Sequence, residues 1–442
     1  MSILIKGGTL VTMNPERDIT ASDILIEGDL ITKIGPISPN RADQVINAQG
    51  MLVIPGLVQS HVHLCQALFR GLANDMELLE WLNRRIFPLE AAHDEESLYY
   101  SAMLGCAELL RGGTTSIIDM GTVRHTNSIF AAAARAGIRY LGGNCMVDIG
   151  SEGSMALVEP TEAALQKSLD LLQKWDGKAE GRLHYAFCPR FVPACSQELL
   201  AQMQALSARY DIPVHTHASE NKSEIKLVET QRCRRNVVYL NDLGLCNEKL
   251  ILAHCIHISG EEKGILASTG TNVAHCPSSN LKLASGIAPI PELINCGAAV
   301  SLGADGAPCN DNMSMFMEMR LAALIQKPLH GATSMPAQTV FEMATLGGAR
   351  AMGRENELGS LEAGKKADLA LIDLNQWHIW PLSGADVYGQ LVYQVQTRDV
   401  CCTIVNGQVL MLEGELLAID ENEVKTKSAE SRDRVRKRAG LL

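Results

Sequence analysis

The chain has 442 residues and a formal net charge of −11. Hydrophobic residues make up 46% and charged residues 20%, a globular balance that excludes a largely disordered chain. Basic residues cluster only in the tail at 432–438, which argues against nucleic acid as the main partner.

The first elements are β-type. Segments 3–13, 23–34 and 44–54 are apolar runs separated by Gly, Asn and Asp, the pattern of strands in a small sheet. The opening residues lack a basic region followed by a long apolar core, so no signal peptide is expected. From residue 57 strands and helices alternate. Apolar runs recur at 57–63, 115–120, 139–147, 182–187, 213–217, 250–254, 271–275 and 299–304, with Ala- and Leu-rich helical stretches such as 97–110 and 196–210 between them. Eight strand–helix units predict an α/β fold, a closed (β/α)8 TIM-type barrel over 57–365. The end of the chain returns to β-type runs at 367–373 and 402–410, the latter interrupted by the turn pair Asn406-Gly407. Segments 1–56 and 366–442 are therefore expected to form one small composite β-sandwich domain. The basic tail reads as a solvated terminal helix. Thirteen scattered cysteines without a Cys-x-x-Cys pair suit reduced thiols, and no apolar run nears the ~18 residues of a membrane helix. The expected location is the cytoplasm, with no membrane partner.

Chemistry-bearing residues sit at the strand ends, where barrel active sites are built. The first strand ends in His61-Val62-His63, two imidazoles on one face. Alone this is weak: with 12 His in the chain, His-x-His arises by chance roughly 0.3 times. The fourth strand is followed by Cys188-Pro189-Arg190-Phe191, the fifth by His217-Ala218-Ser219-Glu220. The sixth ends at His254, the seventh at His275, the eighth at Ala304-Asp305-Gly306. The joint pattern is informative where each element is not.

These segments resemble the amidohydrolase superfamily, in its cytosine-deaminase-like branch of aminohydrolases. The resemblance runs nearly end to end. It includes Pro55 to His63, Phe69-Arg70-Gly71-Leu72, Phe87-Pro88-Leu89-Glu90, Gly112 to Thr115, Ser279 to Leu283 and Gly303 to Gly306. Within the branch, the chain is similar to 5′-deoxyadenosine, methylthioadenosine and adenosylhomocysteine deaminases, guanine deaminases and triazine chlorohydrolases. The resemblance implies one divalent metal held by His61, His63, His217 and Asp305. Three imidazoles and a carboxylate suit zinc first and ferrous iron second. Cys188 and Arg190 stand where dinuclear members carry a lysine, so the expected site is mononuclear. The resemblance gives Glu220 the role of proton shuttle. It gives Asp305 that of proton acceptor from water, and His254 that of hydrogen-bond partner to the attacking oxygen. His215 is expected in the core. His257, His275, Asp119 and His125 are expected near the rim in structural roles, and His93 carries no signal.

The substrate clues divide. Trp81 and Glu90 match adenosine-type deaminases, in which an aromatic and a carboxylate meet the nucleoside. Gln66, Arg190 and Phe191 lean to guanine deaminases; Arg190 only donates and suits a carbonyl oxygen or anion, and Phe191 suits stacking. Retention of Glu220 and Asp305 suits loss of ammonia over loss of chloride. The expected activity is deamination of an adenosine-type nucleoside, with guanine or an oxo-purine as second reading. A triazine chlorohydrolase-like hydrolase and a non-catalytic scaffold of the same fold are weaker readings. A homo-oligomer is expected by resemblance.

Overall fold

The computed structural model describes residues 2–151 and 153–441. Apolar runs near both chain ends form strands β1 (Ser2–Val11), β2 (Ile19–Glu27), β3 (Leu30–Ile34), β4 (Gln44–Asn47) and β5 (Met51–Pro55) at the start. The middle supplies β6 (Leu57–Val62), β7 (Thr114–Asp119), β8 (Arg139–Gly142), β9 (Cys145–Met146), β10 (Leu183–Tyr185) and β11 (Cys188–Pro189). It continues with β12 (Val214–Ala218), β13 (Leu250–His254), β14 (Asn272–His275) and β15 (Ala299–Leu302). The end adds β16 (Leu369–Asp373), β17 (Val400–Val405), β18 (Gln408–Leu412) and β19 (Glu415–Leu416).

Every residue of β6, β7 and β13 is buried, as in parallel sheets covered on both faces. β6, β7, β8 and β10 pair in parallel, and so do β12, β13, β14 and β15. Two parallel bridges join these four-stranded arcs. Phe187 meets Val214 on one side, and Val62 meets Asp305 on the other. The eight strands thus form a closed ring. Helices such as Glu95–Arg111, Thr126–Ala136, Gln197–Tyr210 and Gly260–Thr269 run between successive strands on its outside. The first of these starts at a capping box, where Asp94 accepts from the Ser97 amide at 2.8 Å and Ser97 Oγ accepts from the Asp94 amide at 2.9 Å.

The run at 139–147 divides into β8 and β9, because the chain passes too close to its neighbour to stay regular. A Cβ on Gly143 would lie 1.9 Å from the Ala186 carbonyl oxygen. β9 then pairs with β11 above the ring, and the Arg190 amide donates to the Met146 carbonyl at 3.1 Å. This short pair sets Arg190 over the barrel mouth.

The nine strands from both chain ends form one hydrogen-bonded sheet, in the order β19-β18-β17-β16-β5-β1-β2-β3, with β4 beside β1. β5 and β16 join the two ends in antiparallel register from Leu369 opposite Pro55 to Asp373 opposite Met51. Asn406 and Gly407 adopt φ of 52° and 74°, the two-residue turn that joins β17 to β18. The tail is a helix, Glu421–Arg438, and it docks on the helix Glu95–Arg111. Arg434 pairs with Glu96 at 2.8 Å and Arg438 with Asp94 at 2.7 Å. No described helix is long and apolar enough to cross a membrane.

A buried ion pair clamps the sheet to the foot of the barrel. Arg139, at the start of β8, donates Nε and Nη2 to the two oxygens of Asp368 at 3.0 and 2.9 Å. Nη2 also reaches Asn406 Oδ1 at 3.1 Å, and the Asn406 amide donates to Asp368 at 2.8 Å. The Arg139 side chain is wholly buried and that of Asp368 is 3% exposed. Removing one partner strands the other charge. Asp368→Asn is expected to lower unfolding free energy by about 3–5 kcal/mol, read from denaturant midpoints. The paired change Arg139→Met with Asp368→Leu is expected to recover a large part of that loss.

Candidate active site

The ring's parallel strands all end at the same mouth, and the titratable residues of the sequence converge there. His61 lies near the end of β6 and His63 just beyond it, with ring centroids 4.9 Å apart. His217 sits on β12 and His254 closes β13. Asp305 follows β15 and bridges to Val62. Its Oδ1 lies 3.3 Å from His61 Nε2 and 3.4 Å from His63 Nε2. The backbone is strained at this rim. Ser219, His254 and Asp305 have φ of 55°, 76° and 60°, conformations that non-glycine residues adopt at a cost of about 1–3 kcal/mol each.

The imidazoles are arranged as bases facing one another. His217 Nδ1 donates to the Arg190 carbonyl at 2.6 Å, so its Nε2 carries a lone pair. That Nε2 lies 3.2 Å from His63 Nε2. His61 Nε2 is buried and has no hydrogen-bond partner, while its Nδ1 lies 2.8 Å from His215 Nε2. Burial holds His61, His63 and His217 below the usual imidazole range, His63 and His217 far below it. Burial pushes Asp305 up, but the imidazoles around it, His61 foremost, outweigh it and hold the carboxyl well below its usual range. Ligand atoms of His61, His63 and His217 lie within 4.8 Å of one another, as do those of His61, His254 and Asp305. An orphaned ring nitrogen, neutral imidazoles and an ionised carboxylate are the donor set that zinc or ferrous iron takes. The residues fit such an ion.

Glu220 and His254 complete one wall. Glu220 Oε2 lies 3.5 Å from His254 Nε2, which is 3.9 Å from Asp305 Oδ2. Burial, with the charge of Asp305 behind it, pushes the Glu220 carboxyl well above its usual range. The remaining wall of the cleft includes Gln66, Trp81, Arg190, Phe191, Leu78, Leu82 and Leu283. Glu90 is set apart from them. It lies behind Arg190 and Gln66, accepting from Arg190 Nη1 at 2.6 Å, from Nη2 at 3.3 Å and from Gln66 Nε2 at 2.8 Å. The guanidinium also covers the Phe87 ring at 4.9 Å.

Sequence reasoning misses Asn280, Ser279 and Glu224 as supporting residues. His215, expected in the core, is buried there and contacts His61. Asn280 Oδ1 accepts from His254 Nδ1 at 2.9 Å, which leaves Nε2 facing Glu220. Ser279 Oγ donates to Asp305 Oδ2 at 2.6 Å. Glu224 accepts from the Glu220 amide at 2.8 Å; its only sequence signal is the capping pattern Asn221-x-x-Glu224. His275 is buried with neither ring nitrogen partnered, and His257 reaches the Ser285 carbonyl at 2.6 Å. Asp119 accepts from the Leu64 amide at 2.8 Å and from the Tyr140 hydroxyl at 2.9 Å, and burial pushes it up to about 6.

The segment after the histidine pair, Leu64–Phe69, is a buried 3-10 turn. A family model described as "Amidohydrolase family" matches residues 52–410. The chain belongs to the amidohydrolase family. It is 37% identical over 427 residues to a 5-methylthioadenosine/S-adenosylhomocysteine deaminase of Moorella thermoacetica, covering 96% of this chain and 97% of that one. It is 36% identical over 424 residues to a 5′-deoxyadenosine deaminase of Methanosarcina acetivorans, covering 96% and 95%. Among solved structures, a zinc-bound adenosine deaminase from Xanthomonas campestris superposes with a TM-score of 0.92 at 29% identity, covering 98% of each chain.

His93, which carries no signal in the sequence, braces the same turn. Its Nε2 donates to the Cys65 carbonyl at 2.8 Å, and its Nδ1 lies 3.0 Å from Ser97 Oγ. Burial lowers its pKa to about 4. Above pH ~6.5 the ring is neutral whether folded or unfolded, and it adds no pH dependence. Between ~6.5 and about 4 the unfolded chain binds a proton that the folded protein refuses, so stability falls as pH falls. In denaturant unfolding at pH 7 and 4.5, wild type is expected to lose roughly 2–3 kcal/mol more than His93→Gln on acidification.

Proposed function

We propose that this chain is a metal-dependent hydrolytic deaminase that releases ammonia from the purine ring of an adenosine-type nucleoside. The overall reaction exchanges the ring amine for a carbonyl: water supplies the oxygen, and ammonia leaves. The names and coverage of the relatives support the substrate class. The observation that carries the chemistry is the wall of Glu220, His254 and Asp305, in which two carboxyls, one pushed up and the other held down, lie 3.5 and 3.9 Å from the same imidazole nitrogen.

His61, His63, His217 and Asp305 would hold a single divalent ion, zinc in this reading, with ferrous iron as the alternative. When bound, the ion supplies Lewis-acid activation of water at neutral pH. Asp305, ionised, accepts a proton from the attacking water. Glu220, whose carboxyl burial pushes up, donates a proton to the ring nitrogen beside the reacting carbon and relays a proton to the departing amine. His254 offers Nε2 to the oxygen of the tetrahedral intermediate; its Nδ1–Asn280 bond fixes that orientation. Phe191 and Trp81 supply flat apolar surface for the purine. Thirteen free thiols support a cytosolic setting, and a homo-oligomeric assembly is kept as part of this reading.

A guanine or oxo-purine substrate is the second reading. One observation favours it: Gln66 and Arg190 line the cleft while Glu90, the carboxylate suited to ribose hydroxyls, lies behind them.

The test follows ammonia release and ultraviolet change with 5′-deoxyadenosine, adenosine, 5′-methylthioadenosine and guanine. Turnover of the nucleosides is expected to exceed that of guanine; the reverse order selects the second reading. Glu220→Gln is expected to lower kcat by about 10³-fold with bound metal unchanged, and retained activity would refute its role. Chelation is expected to abolish turnover, and added zinc to restore it.

A further inference from the structure

The three imidazoles assigned to the ion are not held alike. Their Nε2 atoms converge: that of His63 lies 3.2 Å from that of His217, and Asp305 Oδ1 lies 3.3 Å from His61 Nε2 and 3.4 Å from His63 Nε2. A neutral imidazole carries one proton, so a ring that offers Nε2 as a lone pair holds its proton on Nδ1. His217 places that proton on the Arg190 carbonyl at 2.6 Å. His63 Nδ1 is buried without a partner. His61 Nδ1 has a partner of another kind, Nε2 of His215 at 2.8 Å.

His215 reaches His61 from the opposite side of the ring. Counted around the barrel, β6 and β12 are the first and fifth of eight strands. Alternate strands of such a barrel send their side chains into shared layers of its interior, so a residue on the fifth can meet one on the first. His215 stands two residues before His217 on β12, on the same face and deeper in the barrel. Its ring meets the His61 ring edge-on, with centroids 4.9 Å apart and planes at 84°. Both residues are fully buried.

One proton sits between the two nitrogens, and its owner decides what His61 can do. On His61 Nδ1 it leaves His61 Nε2 free to bind an ion, and the proton of His215 lies on its own Nδ1. On His215 Nε2 it forces the proton of His61 onto Nε2, which takes that atom out of the donor set. We propose that His215 is a positioning residue of the metal centre: its Nε2 accepts the Nδ1 proton of His61 and fixes that ring in the tautomer and orientation that bind the ion. The inference rests on the metal-site reading above. An imidazole in this place orients the ligand ring without adding charge, whereas a carboxylate there would bury a negative charge.

Zinc competition against a chelator, with the intact zinc-loaded protein, tests the proposal. His215→Leu, which removes the acceptor, is expected to weaken zinc binding about 10–100-fold. His215→Gln, which keeps an acceptor, is expected to stay within about fivefold of wild type. His275→Leu removes another buried histidine, one with neither nitrogen partnered, and is expected to leave zinc affinity unchanged. Equal affinity in wild type and His215→Leu overturns the inference, and so does an equal loss in His275→Leu. Should His215→Leu fail to fold, NMR of isotope-labelled imidazole nitrogens in zinc-loaded wild type gives the answer. His215, assigned by the signals lost in His215→Gln, is expected to carry its proton on Nδ1; a proton on Nε2 overturns the inference. Wild-type protein that binds no zinc sinks the metal-site reading and this inference together.

Discussion

The contact on which the rest depends is the seam where the last barrel strand meets the first. Val62 bridges Asp305 in parallel, and the Asp305 amide donates to the His61 carbonyl at 3.0 Å. A Cβ on Gly303 would lie 2.6 Å from that same carbonyl oxygen, so the seam closes only around a glycine. Closing it sets a carboxylate from one end of the barrel segment beside two imidazoles from the other. Without closure, His61, His63 and Asp305 would be three unrelated polar residues at strand ends. With it they are a buried donor set, which a sheet open at this edge could not assemble.

Burial then does the electrostatic sorting. Removing water disfavours charge on every group, yet neighbours decide which group resists. The His61, His63 and His217 rings are pushed toward the neutral form. Asp305 keeps its charge because His61 and the other rings surround it. Glu220, close to that charge and without a cation at its side, is driven toward its protonated form. One desolvated pocket therefore holds two carboxyls pushed in opposite directions by their neighbours. The outer contacts of Asn280, Ser279 and Glu224 keep each group pointed the right way.

The Arg190–Glu90 pair reshapes the far side of the cleft. Read separately in the sequence, Arg190 is a candidate anion binder and Glu90 a candidate ribose contact. In the fold they satisfy each other, and Gln66 adds a third bond. The β9–β11 pair that lifts Arg190 into position arises from a close approach at Gly143, a feature of packing and not of periodicity.

Much of this protein was legible before any coordinates. Eight apolar runs with helical stretches between them are enough to imply a parallel barrel, because strands buried on both faces must be continuously apolar. Asn406-Gly407 announces its hairpin through the backbone angles those residues tolerate. His61, His63, His217, His254 and Asp305 stand at predicted strand ends, which in a barrel share one mouth, and the family resemblance picks the metal-ligand set from among them. What lay beyond the sequence were pairings between distant residues: Arg139 with Asp368, Arg190 with Glu90, His93 with the Cys65 carbonyl. The sequence by itself determined which elements form and which residues reach the mouth, since both follow from local periodicity. Only the tertiary structure decided which of those residues face the cleft and which neutralise one another, because charge and hydrogen bonding depend on through-space distance and burial.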